Sequence, residues 1–209
     1  MKIGICIAMQ EEADNLLSLF RLTEKRVKEY DNAFFYDSDN LTVAVGGVGT
    51  LASAMATQML ITKYSCDMIY NIGCAGCTGT KFSVGDILSI NKLYKNDVDL
   101  TLVGCEPNQL SHTPTYLEAY ADESFPLATC CSGDKFITSG SGIPADTVTE
   151  MEGFSVAYVC YKYGLPCRIY KIISDTCDKN VDASEYEANM QGVSDKLGQY
   201  IYEIISKSI

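Results

Sequence analysis

Carboxylates fall at three places in this chain where acid/base chemistry has room to work. Glu150 and Glu152 stand where the short β-branched run Val148, Thr149 gives way to a helical pattern over 153–163. Asp175 comes just past an apolar strand pattern over 167–173, with Ser174 before it. Glu12 opens a helical pattern over 11–20, directly after the apolar strand 2–8. In open α/β sheets, ligands bind beyond the carboxyl ends of the strands. Two or three carboxylates gathered at such an edge suit proton transfer on a small polar substrate. Taken singly, Glu150, Glu152 or Glu12 also fits the first turn of a helix, where the dipole favours negative charge.

The elements that must position these acids read as follows. The helix 153–163 is apolar nearly all round (Phe154, Val156, Ala157, Tyr158, Val159, Cys160, Tyr161), which predicts a buried helix, stopped by Gly164 and Pro166. The strand 2–8 is continuously apolar, as in a sheet covered on both faces. A hairpin is expected over 33–36 and 41–46, turning at 37–40. It leads into Gly46, Gly47, Val48 and Gly49, then a helix rich in small residues through Leu60. The glycines allow a tight turn and close approach of backbone to a ligand, a weak signal alone. Strand 67–72 is expected to enter a glycine-rich loop over 73–79, with strand character resuming over 84–90, 97–104 and 128–132. Residues 106–122 read as loop with room for a short helix. A last helix over 183–206 carries Tyr186, Met190, Val193, Leu197, Ile201 and Ile204 as a core-facing stripe. No linker, repeat or low-complexity segment divides the chain, so one α/β domain with a central mixed sheet is expected over 1–209.

Composition narrows the partners. The 209 residues, 47% apolar, can bury a sizeable core. A net charge of −11 argues against nucleic acid, whose phosphates need clustered Lys and Arg. No apolar run reaches the ~18 residues of a membrane span, and the N-terminal apolar run meets Gln10, Glu11 and Glu12 too soon for a signal peptide. A cytoplasmic location is expected, with the ten cysteines reduced and mostly acting as small hydrophobes. Cys74 and Cys77 match a C-x-x-C spacing, but in a glycine-rich stretch rather than at a helix start. A single histidine, His112, and no second C-x-x-C leave little for zinc.

Seven stretches in order carry a resemblance over nearly the whole length: 2–12 (Lys2 to Glu12), Gly47-Val48-Gly49, Asn71 to Gly76, Val84 to Ile87, Ser132 to Ile137, Glu150-Met151-Glu152, and Ile173-Ser174-Asp175. The chain resembles the nucleoside phosphorylase and nucleosidase superfamily, and within it the 5′-methylthioadenosine/S-adenosylhomocysteine nucleosidases. The resemblance implies a three-layer fold and a cytoplasmic homodimer. It implies hydrolysis of the N-glycosidic bond of an adenine thioriboside, releasing adenine, with no metal or cofactor. It makes Asp175 the acid that protonates adenine N7, held by Ser174, and Glu12 the base that activates water. It makes Glu152 the acceptor for the ribose hydroxyls, with Glu150 beside it and Met151 against the sugar. Phe136 is expected to pack on adenine, the backbone of Ile137 to read its edge, and Val48 to touch the 5′ side.

Three positions depart from the family pattern. Cys74 stands where relatives carry Ser or Thr, and a thiol donates poorly. Lys171 stands where Arg is usual, giving a point charge instead of a planar fork. The resemblance places both near the attacking water. Val103 falls where an aromatic residue often covers the substrate from the partner subunit. Two other readings stay open: a purine nucleoside phosphorylase using phosphate, and a weakly active adenine-nucleoside binding protein. Against the first, Asn71 and the acidic stretch 9–12 stand where phosphorylases place arginines.

Overall fold

The computed structural model describes residues 1–30, 32–138, 142–177 and 183–207. In chain order its elements are β1 (Ile3–Ile7), α1 (Gln10–Leu19), β2 (Arg26–Tyr30), β3 (Ala33–Asp37), β4 (Leu41–Val45), α2 (Thr50–Thr62), β5 (Met68–Cys77), β6 (Ile87–Lys95), β7 (Leu117–Glu118), β8 (Leu127–Ser132), β9 (Val148–Glu150), α3 (Gly153–Tyr163), β10 (Cys167–Thr176) and α4 (Ala183–Ile205). The strands form one mixed sheet in the order β10-β6-β8-β9-β5-β1-β4-β3-β2. β10 also pairs with β5 in parallel, which closes β5, β10, β6, β8 and β9 into a ring. β5 therefore belongs both to this ring and to the open sheet.

The apolar strands dictate two cores, because each buries both faces. β1 is buried throughout, and its alternate residues feed opposite sides. Ile3, Ile5 and Ile7 join Leu16 and Leu17 of α1 and Leu197 and Ile201 of α4. Cys6 faces the other way, toward Ala56 and Leu60 of α2 and Phe154 and Val156 of α3. The sheet thus lies between an α1/α4 layer and an α2/α3 layer. The stripe expected on the last helix holds at Leu197 and Ile201, with Met190, Val193 and Ile204 half-buried. Tyr186 of that stripe has a side chain outside the described residues.

Three expectations are corrected. The glycine-rich stretch from Gly73 to Cys77 continues β5 as strand, since ladder bonds with β10 use only backbone. The β-branched stretch 97–104 forms a single 3-10 turn at Thr101–Val103 instead of a strand, ending at Gly104 with φ +86°. Leu102 and Val103 of that turn are exposed, so no burial favours an extended form there. β10 runs on to Thr176, so Asp175 lies inside the strand, not beyond it. The sheet's register shifts between Ile173 and Asp175, leaving Ser174 as an extra residue, a bulge of the kind that re-aims a side chain. Two smaller differences follow the same physics. β6 starts at Ile87, after Gly85 at φ +90°, and β2 is an added edge strand of mostly exposed, partly charged residues.

Candidate active site

The C-terminal ends of β1, β5, β9 and β10 open into one cavity of about 250 Å³, near the lower end of small-molecule sites at about 300 Å³. Its walls include Glu12, Val48, Cys74, Phe136, Ile137, Glu150, Met151, Glu152, Ser174 and Asp175. Every site residue read from the sequence is therefore at this cavity, with Lys171 the exception. Lys135, Thr149, Ala75 and Gly76 complete much of the wall; they are small, or sit beside a motif residue, and gave no chemical signal of their own.

Each acid is held by local structure. Glu12 is the third residue of α1, and its Oε2 accepts the Met9 N–H at 3.2 Å, half of a capping box. Its Oε1 accepts the Cys74 N–H at 2.8 Å from β5. Burial raises the Glu12 carboxyl above its ordinary value despite these donors. Asp175 Oδ1 accepts the Ser174 hydroxyl at 2.8 Å, and that hydroxyl also faces the Ala75 carbonyl at 3.3 Å. Burial raises the Asp175 carboxyl as well. Gly76 leaves room beside it: a Cβ there would stand 3.0 Å from Asp175 Oδ2 and press on the carboxylate.

Glu150 and Glu152 divide their work. Glu150 Oε2 accepts the N–H groups of Glu152 at 2.9 Å and Gly153 at 2.7 Å, at the start of α3. Its Oε1 accepts the Ser132 hydroxyl, whose oxygen in turn accepts the Phe154 N–H at 2.9 Å. Burial opposes the Glu150 charge, but the Lys171 ammonium at 2.8 Å and these donors outweigh it, so the carboxyl sits below its ordinary range. Both Glu150 oxygens are thus engaged in starting a helix and pairing a cation. Glu152 instead reaches across to α2, where its Oε1 accepts the Gly49 N–H at 2.9 Å. Gly49 has φ +101°, a conformation that favours glycine, and this turns its N–H to the carboxylate. Burial pushes Glu152 up to about 7, against the partial relief of Lys171.

Lys171 is fully buried and lies behind Glu150 and Glu152 rather than in the cavity wall. Cys74 lines the cavity with its thiol 3.3 Å from the Ser194 hydroxyl of α4. Burial pushes that thiol up to about 12, so it is not a ready nucleophile. Among the described residues no group of three or more His, Cys, Asp or Glu is placed to hold a metal ion. The arrangement gives one partly apolar pocket with four carboxylates; burial raises three of them, Glu12, Glu152 and Asp175, while Glu150 is held low beside Lys171.

Comparison with known proteins agrees with this geometry. The family model described as "Phosphorylase superfamily" matches residues 2–206, and the chain belongs to that superfamily. The 5′-methylthioadenosine/S-adenosylhomocysteine nucleosidase of Buchnera aphidicola (subsp. Acyrthosiphon pisum, strain Tuc7) is 29% identical over 231 positions, covering 100% of this chain and 99% of the relative. The enzyme of the same name from Shewanella oneidensis is 30% identical over 212 positions, covering 89% of each. Among solved structures, the Helicobacter pylori nucleosidase of that name with butyl-thio-DADMe-Immucillin-A superposes with a TM-score of 0.87 at 24% identity, over 99% of this chain and 98% of that one. The futalosine hydrolase of Helicobacter pylori gives a TM-score of 0.88 at 24% identity, over the same shares of each chain. These likenesses establish the fold.

Proposed function

We propose that the chain is a nucleosidase that hydrolyses the N-glycosidic bond of adenine nucleosides such as 5′-methylthioadenosine and S-adenosylhomocysteine, releasing adenine. The observation that carries this reading is the charge of the cavity. Glu12, Glu150, Glu152 and Asp175 line it against a single lysine, Lys135, and none of the chain's arginines (Arg21, Arg26 and Arg168) does. A phosphorylase must hold a phosphate anion against the ribose; carboxylates at a few ångströms in a buried site repel it by a few kcal/mol. Asn71, at a position where phosphorylases carry arginine, is buried and spends its amide on the Cys6 carbonyl at 3.1 Å. The same carboxylates suit a neutral water that must lose a proton.

In this reading Asp175, its carboxyl raised by burial, brings a proton to adenine N7 so that the base departs neutral. Positive charge grows on the ribose as the bond breaks, as in other glycoside cleavages. Glu152 accepts from the ribose hydroxyls and its charge steadies the cationic sugar. Glu12 takes a proton from the attacking water, and burial, which raises its carboxyl, makes it the stronger base. Phe136 and the Ile137 backbone receive the adenine, and Met151 and Val48 the sugar and its 5′ group. We assign the working form to a homodimer of single-domain chains. Leu51 and Met55 on α2, just after Val48, are exposed apolar side chains, as are Leu102 and Val103 of the 3-10 turn. None of the ten cysteines is in a disulfide, which fits a reducing, cytoplasmic setting.

The test is product analysis. Purified protein is incubated with methylthioadenosine, S-adenosylhomocysteine, adenosine and inosine, with and without phosphate. Free adenine and free 5′-substituted ribose, at a rate indifferent to phosphate, are expected. A product carrying phosphate at C1 of the ribose would replace the hydrolase with a phosphorylase. Tight binding with no product would leave a binding protein.

A further inference from the structure

Lys171 is one buried cation set between two buried carboxylates, and the geometry does not treat them alike. Its Nζ stands 2.8 Å from Glu150 Oε2 and 3.9 Å from Glu152 Oε2. Glu150 is also served by two backbone N–H groups and the Ser132 hydroxyl. Glu152 has the Gly49 N–H on Oε1, and for Oε2 no partner closer than that distant ammonium among the described residues. Glu152 lines the cavity; Lys171 does not. A lysine so placed cannot touch the substrate. It can act only through the carboxylate that does.

We propose that Lys171 is a positioning residue acting through Glu152: clamped on Glu150, its ammonium favours the ionised Glu152 by its field alone and leaves one Glu152 oxygen uncommitted for the ribose hydroxyls. This rests on the nucleosidase reading, in which Glu152 faces the sugar. The groups that set the balance come from every element around the pair. Glu150 is on β9, Glu12 on α1, Cys6 on β1 and Cys130 on β8, while the turn before α2 contributes the Gly49 N–H, and Asp134 beyond it is taken up by the Thr50 N–H. The thiols of Cys6 and Cys130 are raised by burial and stay neutral. That leaves three carboxylates against one ammonium. Removing the ammonium therefore disfavours the Glu152 anion, while removing the rival carboxylate Glu150 favours it. The two changes break the same 2.8 Å ion pair yet push Glu152 in opposite directions.

The experiment uses that opposition. Protein carrying ¹³C at glutamate Cδ is titrated without substrate, with the Glu152 signal identified by its loss in Glu152→Gln. Lys171→Met is expected to move the Glu152 titration up by at least about one pH unit, and Glu150→Gln to move it down. The acid limb of kcat/KM on the cleaved nucleoside is expected to follow in the same two directions. A role in packing alone would shift neither titration, or would lower stability and activity in both variants with no opposed movement; either result overturns the proposal. Should Lys171→Met not fold, Glu150→Gln decides alone: a downward shift supports the proposal, and no shift or an upward one overturns it. The substrate-free titration does not depend on turnover, so opposed shifts in a protein that cleaves none of the nucleosides would fault the nucleosidase reading and not the role of Lys171.

Discussion

Glu12 and Cys74 are joined by a 2.8 Å hydrogen bond from the Cys74 N–H to Glu12 Oε1, which ties the first turn of α1 to the middle of the longest stretch of paired strand. With the Met9 N–H on Oε2 it holds the carboxylate at both oxygens, at the cavity wall. Glu12→Gln keeps an oxygen that can accept the same N–H but cannot take a proton. Turnover of an adenine thioriboside is expected to fall by at least ~100-fold, the scale of general base catalysis. Binding of a non-hydrolysable analogue should stay within a few-fold, and the thermal midpoint should be kept. Calorimetric binding beside steady-state rates checks this; parallel loss of binding and fold would make Glu12 structural.

Stability should depend on pH with an unusual sign on the neutral side. Burial holds Glu152 up at about 7, against an ordinary 4.5, and raises Glu12 and Asp175 too. An acid raised on folding binds its proton more tightly in the fold. Its stabilisation is complete below about pH 4.5 and is lost as pH rises through about 7. Glu150, Asp37, Asp97 and Asp122 are held low and act the other way, losing stabilisation only as pH falls through their depressed values. Lowering the pH from about 8 to about 5.5, across the first of these windows and above the second, should raise the thermal midpoint by about 5 °C. Glu152→Gln should flatten much of that slope. A midpoint that falls steadily over the same range in the wild-type chain would contradict the assignment.

The thiols give a chemical check. None of the ten cysteines is in a disulfide, and only Cys74 and Cys105 are more than marginally exposed. With its thiol pushed up to about 12, Cys74 holds little thiolate near neutral pH and should alkylate slowly despite facing the cavity. Iodoacetamide on the native protein should modify Cys105 first, and mass mapping reads the order. Titration in denaturant without reductant should count ten thiols; a count of eight would reveal a disulfide.

What the sequence made legible was local. Glu12, Glu152 and Asp175 sit at element ends, where periodicity changes and a residue's position in its motif is read over a few neighbours. Lys171 was drawn into the substrate site by resemblance, although it lies inside the β5–β10–β6–β8–β9 ring. Which side of a strand faces a closed ring depends on pairings between residues far apart in the chain, and no window of sequence contains them. The run from Gly73 to Cys77 read as loop because glycines lack the side chains that signal a strand; its ladder bonds come from β10. Glu150 illustrates the reverse case. The modest reading of an acid that starts a helix is what its oxygens do, on Glu152 and Gly153, while it also borders the cavity.

Asp175 offers the sharpest test of the chemistry, because its proposed work depends on the leaving group. Ser174, extra in the register of β10, donates to Oδ1 at 2.8 Å, and Gly76 leaves the backbone close to Oδ2. Burial raises the carboxyl and so favours its protonated form, the one that could serve adenine N7. Asp175→Asn retains an acceptor for the Ser174 hydroxyl and the shape of the side chain, but has no proton to give. On methylthioadenosine the rate should fall by at least ~100-fold. A riboside whose leaving group departs as a stable phenolate needs no such proton, and its cleavage should fall by less than about tenfold in the same variant. The ratio of the two losses separates proton donation from positioning. If both substrates lose rate equally while the fold is kept, Asp175 orients the substrate and the proton for adenine must come from elsewhere in the cavity.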